Sequence, residues 1–214
     1  MNKIVITSGA MEEKIDNIRT LINKSSGKLG SVIADTFKDQ QVTYIHTSSA
    51  MLPTTESINK IKINNISDLV KTLKREVKDA DIVIHLMAVS DFSYQGYTTK
   101  DNPNKVIKSD KINSEEDILL VMKRNAKVID KIKEYNQETK LVGFKLLSNV
   151  SQEELKKACI NLKERANCDI VVGNILENIS EEQHKALILS DDDIFVNTKE
   201  DIALALKEEL LWKN

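Results

Sequence analysis

Between Ile18 and Gly30 the chain reads Ile-Arg-Thr-Leu-Ile-Asn-Lys-Ser-Ser-Gly-Lys-Leu-Gly, a stretch that concentrates groups able to grip an anion. Arg19 offers a planar fork matched to phosphate or carboxylate. Ser25, Ser26 and Gly27 fall where the spacing of Leu29, Val32, Ile33 and Phe37 starts a helix. Free backbone N–H groups and hydroxyls would converge there, at the end of the dipole that favours negative charge. Gly27 and Gly30 would let backbone approach a ligand and the helix approach its neighbour. The same residues equally describe a serine-capped helix with two packing glycines.

Other candidates are more isolated. Asp91, in Ala88-Val89-Ser90-Asp91-Phe92, follows the most apolar strand of the chain. A carboxylate there can meet a ribose hydroxyl, hold a metal ion or cap the next turn. Lys105, Lys108 and Lys111 lie in or beside a polar stretch. An ammonium there could neutralise charge developing as pyrophosphate leaves, or simply be solvated. Phe144, in Gly143-Phe144-Lys145, could stack on a base or belong to the core. His46, His85 and His184 have no metal-ligand spacing, and His85 in an apolar strand reads as a satisfied core residue. Cys159 and Cys168 form no CxxC and read as half-buried reduced thiols. Glu12-Glu13, Glu115-Glu116-Asp117 and Asp191-Asp192-Asp193 read as solvated turns or faces.

The elements that must position these groups alternate. Strands are expected at Ile4–Ile6, Gln41–His46, Ile58–Ile63, Asp81–Met87, Ile118–Met122, Lys140–Phe144 and Asp169–Gly173. Helices are expected from Ser25, from a Ser67 cap, over Ala126–Tyr135, from a Ser151-x-x-Glu154 capping box, and over Thr198–Trp212. The last carries an apolar stripe of Ile202, Leu206 and Leu210, with Trp212 packing it. Ala186–Leu189 and Ile194–Val196 flank a turn and predict a hairpin. The stretch Ser93 to Ser109, with Gly96 and Pro103, reads as a long mobile loop. This alternation predicts an α/β fold, Rossmann-like and doubly wound. Its mainly parallel sheet would carry helices on both faces and end in a C-terminal β-hairpin. Ligands bind beyond the carboxyl ends of such strands, so the loops after Ile6, Met87 and Phe144 should share one crevice.

The chain's 214 residues suit a single domain, 1–214, with one substantial core. Hydrophobic residues make up 41% and charged residues 30%, with a net charge of −2. No broad basic field exists to attract nucleic acid or an anionic membrane. No apolar run nears the ~20 residues of a bilayer span, and the opening apolar run is too short for a secretory signal. A cytoplasmic protein is expected.

Several of these pieces fall in one order and spacing. They are Thr7-Ser8-Gly9, Glu13-x-Ile15-Asp16-x-Ile18-Arg19-x-x-x-Asn23-x-Ser25-Ser26-Gly27-Lys28-Leu29-Gly30, Ala88–Phe92, Lys111-Ile112-x-Ser114 and Gly143–Lys145. The pattern resembles phosphopantothenate–cysteine ligase over nearly the whole chain, in its short monofunctional bacterial form. The resemblance implies that CTP, with Mg2+, activates the carboxylate of 4′-phosphopantothenate as an acyl-cytidylate. L-cysteine then displaces CMP, in coenzyme A biosynthesis.

By position, Asn23 would hold the acyl-nucleotide and Lys111 would stabilise charge as it forms. Gly9, Arg19, Ser25, Ser26 and Gly27 would orient the substrate and its phosphate. Ala88, Asp91, Lys111, Phe144 and the run Ala126, Lys127, Val128, Ile129 would form the nucleotide pocket. No protein-held metal site is implied, and the family implies a homodimer. The chain departs from the pattern at Gly9-Ala10-Met11, where Gly-Gly-Thr is usual, at Ala126 for a common Pro, and at Gly173-Asn174-Ile175 for Ala-Asn-Asp. Asn161–Arg165 replaces a Lys-Leu-x-x-Lys pattern, leaving Lys163 and Arg165 as its basic residues. A nicotinamide-dependent oxidoreductase would need more glycines than Gly9 in the first turn, and an acid where Ile45-His46-Thr47 stands. A catalytically silent nucleotide-binding homologue is the other alternative.

Overall fold

The computed structural model describes residues 1–212. The first strand, β1 (Lys3–Ser8), is followed by two short strands, β2 (Glu12–Lys14) and β3 (Thr20–Ile22), and by helix α1 (Lys28–Thr36). Next come β4 (Gln41–His46), β5 (Asn59–Lys62), α2 (Ile66–Glu76) and β6 (Ile82–His85). Strands β7 (Phe92–Thr99), β8 (Asn102–Ile107) and β9 (Ile118–Arg124) precede a 3-10 turn (Val128–Lys131) and the short α3 (Ile132–Tyr135). The chain closes with β10 (Lys140–Leu147), α4 (Gln152–Ala166), β11 (Ile170–Ile179), β12 (His184–Leu189), β13 (Asp193–Val196) and α5 (Lys199–Leu211).

Eight strands form the central sheet in the order β13-β12-β11-β10-β6-β1-β4-β5. Six of them run parallel, and β12 and β13 close one edge as the antiparallel hairpin. The strands are continuous apolar runs because both faces are buried. Ile4, Ile6, Ile82 and Ile84 point to one face, packed by Ile33 and Phe37 of α1 and its C-cap and by Ile202, Leu206 and Leu210 of α5. Val5 and Val83 point to the other, under Leu69 and Leu73 of α2 and Leu155 and Leu162 of α4. This is the doubly wound, mainly parallel sheet expected, hairpin included.

The chain crosses from β1 outward to β4 and β5, then returns to place β6 on the other side of β1. The strand order therefore reverses between β1 and β6, where such folds open a ligand crevice.

Three local readings are corrected. The stretch 93–109 is not a loop, because β7 and β8 pair antiparallel and β9 adds to β7 in a separate three-stranded sheet. Helix α2 is capped by Asn65, whose side chain accepts from the Asp68 amide, and not by Ser67. Residues 126–135 form a coil, a 3-10 turn and one helical turn rather than a continuous helix. The Ser151 and Thr198 capping boxes both form. Trp212, however, is exposed and packs no stripe. Cys159 and Cys168 are buried outright, filling the space over Gly173 and Gly143, where an added Cβ would meet their sulfurs.

Candidate active site

The backbone is paired across the β1/β6 switch. Ala88 N donates to Gly9 O at 2.9 Å and Met11 N donates to Ala88 O at 2.9 Å, making a bridge between residues 10 and 88. The expected contributions of Gly9 and Ala88 are thus brought side by side, with their backbone partly committed to each other. Ala10 and Met11 are buried, and Met11 shares a core cluster with Met87.

Against this paired backbone sits the start of α1. Gly27 is its N-cap in the left-handed conformation (φ 70°), which glycine adopts without strain, and it offers no side chain to cap the helix. The N-cap position belongs to Gly27 rather than to Ser25 or Ser26, but Ser26 Oγ still accepts from the first helical amide, that of Lys28, at 3.4 Å. The first turn carries no acidic side chain, so the positive end of the dipole is not neutralised.

Ser8 Oγ donates to Gly27 O at 3.2 Å, and a Cβ at Gly30 would come 2.6 Å from Ser8 Cβ. Gly30 is what brings the helix start down onto β1. The loop after β4 closes the other side. A Cβ at Gly9 would strike Thr47 Oγ1 and come 2.7 Å from Ala50 Cβ, and one at Gly27 would come 3.0 Å from the same methyl. Met51 N also donates to Ser26 O at 2.9 Å. Thr47 and Ala50 are lining residues that sequence reasoning missed. The run of small residues directly after a strand was the available signal.

Phe144 does not end its strand; it sits mid-β10, just past the last β6 pairing at Gly143–His85. It is half-buried and, like Leu29 and Leu86, packs against the core cluster on the α1 face. The side chains of Val128 and Ile129 are buried in the core cluster that also holds Leu141 and Leu162, so only the backbone of this pair is left to face a ligand. Lys127, in contrast, ion-pairs with Asp91, and Asn125 N donates to Asp91 O at 2.8 Å. Residues 125–127, Ala126 included, are therefore tied to the Ser90-Asp91 turn. Arg165 is held by Asp130 at 3.1 Å.

The hairpin β2–β3 carries the rest. Asp16, with no exposed side-chain surface, accepts from Ile18 N (2.8 Å), Arg19 N (2.7 Å), Arg19 Nη1 (2.6 Å) and Ile112 N (3.0 Å). The Ile112 amide first, then those of Ile18 and Arg19 and the guanidinium charge, hold its carboxyl down at about 2. Arg19 Nη1 also donates to Ile112 O at 3.3 Å, so one arm of the expected substrate fork is committed to structure. Glu13 accepts from Tyr94 N at 2.7 Å and Glu12 from Ser48 at 3.3 Å, so neither glutamate is simply solvated. Asn23, on the coil joining β3 to α1, and Lys111, beside Ile112, are exposed, and neither side chain has a partner among the described residues.

Buried His85 accepts or donates to Thr7 Oγ1 at 2.8 Å, and burial pushes its pKa down to about 4, as suits a core residue. Among the described residues, no three His, Cys, Asp or Glu side chains converge as a metal site, and no helix is long and apolar enough to cross a membrane.

Fold and site together define a doubly wound α/β protein in which the start of α1 sits at the β1/β6 switch point. Over residues 1–212 the chain matches the family described as DNA/pantothenate metabolism flavoprotein C-terminal domain, and it belongs to that family. A coenzyme A biosynthesis bifunctional protein CoaBC of Thermococcus kodakarensis is 33% identical over 195 residues, 89% of this chain and 45% of that protein. The chain thus spans about half the length of the curated relatives it matches. The crystal structure of the DNA/pantothenate metabolism flavoprotein from Streptococcus pneumoniae is 32% identical, with a TM-score of 0.90 over 98% of both chains. The C-terminal domain of a CoaBC protein shares the fold, with a TM-score of 0.73 at 18% identity over 98% of this chain and 93% of that one.

Proposed function

We propose that the chain is a phosphopantothenate–cysteine ligase that works through an acyl-nucleotide, with CTP as co-substrate. One observation carries the reading. The acid-free start of α1, set at the switch point, follows directly on an unengaged Asn23. The relatives' part in coenzyme A biosynthesis supports it.

In this scheme a carboxylate oxygen of 4′-phosphopantothenate attacks the α-phosphorus of CTP, and pyrophosphate leaves with the bonding electron pair. The amine of cysteine then attacks the acyl carbon, CMP leaves, and the amine's proton passes to solvent. The amides at the start of α1 bind an anionic group and Phe144 offers an apolar wall for a base. The Lys111 ammonium meets charge that grows as pyrophosphate departs, while the Asn23 amide orients the acyl-nucleotide for attack. Magnesium would travel with the triphosphate, held largely by phosphate oxygens rather than by a protein cage. A second copy of the chain would cover Val106, Leu119 and Leu120, which the small sheet leaves exposed.

The test is direct. The protein is incubated with phosphopantothenate, cysteine, magnesium and either CTP or ATP, and pyrophosphate and coupled product are followed. Asn23→Ala should release pyrophosphate in the first turnover and accumulate the acyl-nucleotide, while Lys111→Gln should fail before that point. No pyrophosphate with either nucleotide would refute the ligase reading. Normal turnover in both variants would refute the assigned roles.

A further inference from the structure

The two side chains assigned to successive steps, Asn23 and Lys111, come from segments far apart in sequence. The geometry points to Asp16 as the positioning residue that fixes both in one frame, an inference that rests on the ligase reading above. Its Oδ1 accepts the Ile18 and Arg19 amides and so shapes the turn of the hairpin whose second strand ends at Ile22, beside Asn23. Its Oδ2 accepts the Ile112 amide and Arg19 Nη1, and so holds the segment carrying Lys111. Asn17 N donates to Asp110 O at 2.9 Å, and Arg19 Nη1 reaches Ile112 O, adding two ties across the same seam.

The division of labour between the two oxygens follows from geometry. A carboxylate is acceptor-only, so all four donors are met at once, and charge shortens and strengthens each bond. No neutral side chain of the same size can do this. An asparagine keeps one oxygen for the turn but presents an N–H2 group to the Ile112 amide and the guanidinium, donor against donor. Residues 110–112 would then lose the tie at the Ile112 amide and keep the weaker one from Asn17 N to Asp110 O, while the hairpin persisted. The same seam borders a cavity of about 650 Å³ lined by Lys14, Asn17, Tyr94 and Lys108.

The experiment uses Asp16→Asn in the full chain, alone and combined with Lys111→Gln. Hydrogen exchange reads the clamp without any reaction. In the wild type the Ile112 amide should be protected, and in Asp16→Asn its protection should fall while that of β1 and β6 stays. Steady-state assays then read positioning. The kcat for pyrophosphate release should drop by ~10–100-fold, as misplacement by about 1 Å does, with the KM for CTP and phosphopantothenate moved far less. Lys111→Gln should cost much less in the Asp16→Asn background than in the wild type, because the ammonium is already out of place.

Wild-type kcat in a folded Asp16→Asn protein, or multiplicative losses in the double variant, would overturn the proposal. If Asp16→Asn does not fold, wild-type exchange decides: an Ile112 amide exchanging like an unstructured peptide overturns the clamp. A wild type that releases no pyrophosphate refutes the ligase reading by itself, and the exchange arm still tests the clamp.

Discussion

Gly30→Ala sets two effects of known size against each other. Gly30 is the third residue of α1, where alanine is favoured over glycine by at most the about 1 kcal/mol of a helix interior, so propensity alone predicts a more stable protein. The structure predicts otherwise. The new methyl would lie 2.6 Å from Ser8 Cβ and 3.3 Å from Leu86 Cδ1, and would overlap Ser8 Oγ. Non-bonded carbons rest at about 3.5–4.0 Å, so the amino end of α1 must retreat from β1 by roughly 1 Å. That movement strains the Ser8–Gly27 hydrogen bond and lifts the helix start off β1. Overpacking of this kind costs about 1–3 kcal/mol, which leaves a net loss of about 0–2 kcal/mol after the propensity gain. For a chain of this length that is a fall in Tm of no more than several degrees, at about 2–4 °C per kcal/mol. Turnover should fall by ~100-fold, because the amides proposed to bind the substrate's anion move with the helix. Thermal melting by circular dichroism and pyrophosphate release read the two quantities separately. A Gly30→Ala protein with raised Tm and full turnover would show that the close approach of α1 to β1 does not set the site.

Acid should weaken the fold before carboxylates protonate. His85 and His184 have folded pKa values near 4 against about 6.5 unfolded, both through burial, so the unfolded chain binds more protons between those values. Stability is therefore fully present above about pH 6.5 and falls as pH drops toward 4, by about 3 kcal/mol for the fully buried His85. Urea midpoints across that range should show the slope, and His85→Gln should flatten it. Burial pushes the Cys159 thiol up to about 11 and the Cys168 thiol up to about 12. Both should resist an aromatic disulfide reagent at pH 8 in the native state and react promptly in denaturant; rapid native labelling would contradict their burial.

The sheet was legible because its strands are buried on both faces, and Ile4–Ile6 or Ile82–Ile84 can be nothing else of that length. The capping box at Ser151 was legible because it is local. What escaped had no local signature. In β8 nearly every side chain is exposed, so Asn102-Pro103-Asn104-Lys105 shows no apolar alternation and reads as loop. Strands β2 and β3 are three residues each, below the length at which a period shows. Val128 and Ile129 are apolar, and their side chains follow the burial rule into the core. Asp16 stood inside the motif, but its decisive partner, the Ile112 amide, is 96 residues away, and no spacing within the motif announces it.

The placement of β1 and β6 at the centre of the sheet has a consequence for how the chain comes into being. Thr7 and His85, joined across these strands, are separated by 78 residues, and β6 meets its other neighbour only at Lys140. Long loop closures of this sort make parallel sheets slow to form. During synthesis the chain holds β6, apolar on both faces, with one edge unpaired until residues 140–143 emerge, and an unpaired edge invites wrong partners. A chain cut short anywhere in β7, β8 or β9 would keep the start of α1 and Asp16, yet present its most aggregation-prone strand uncovered.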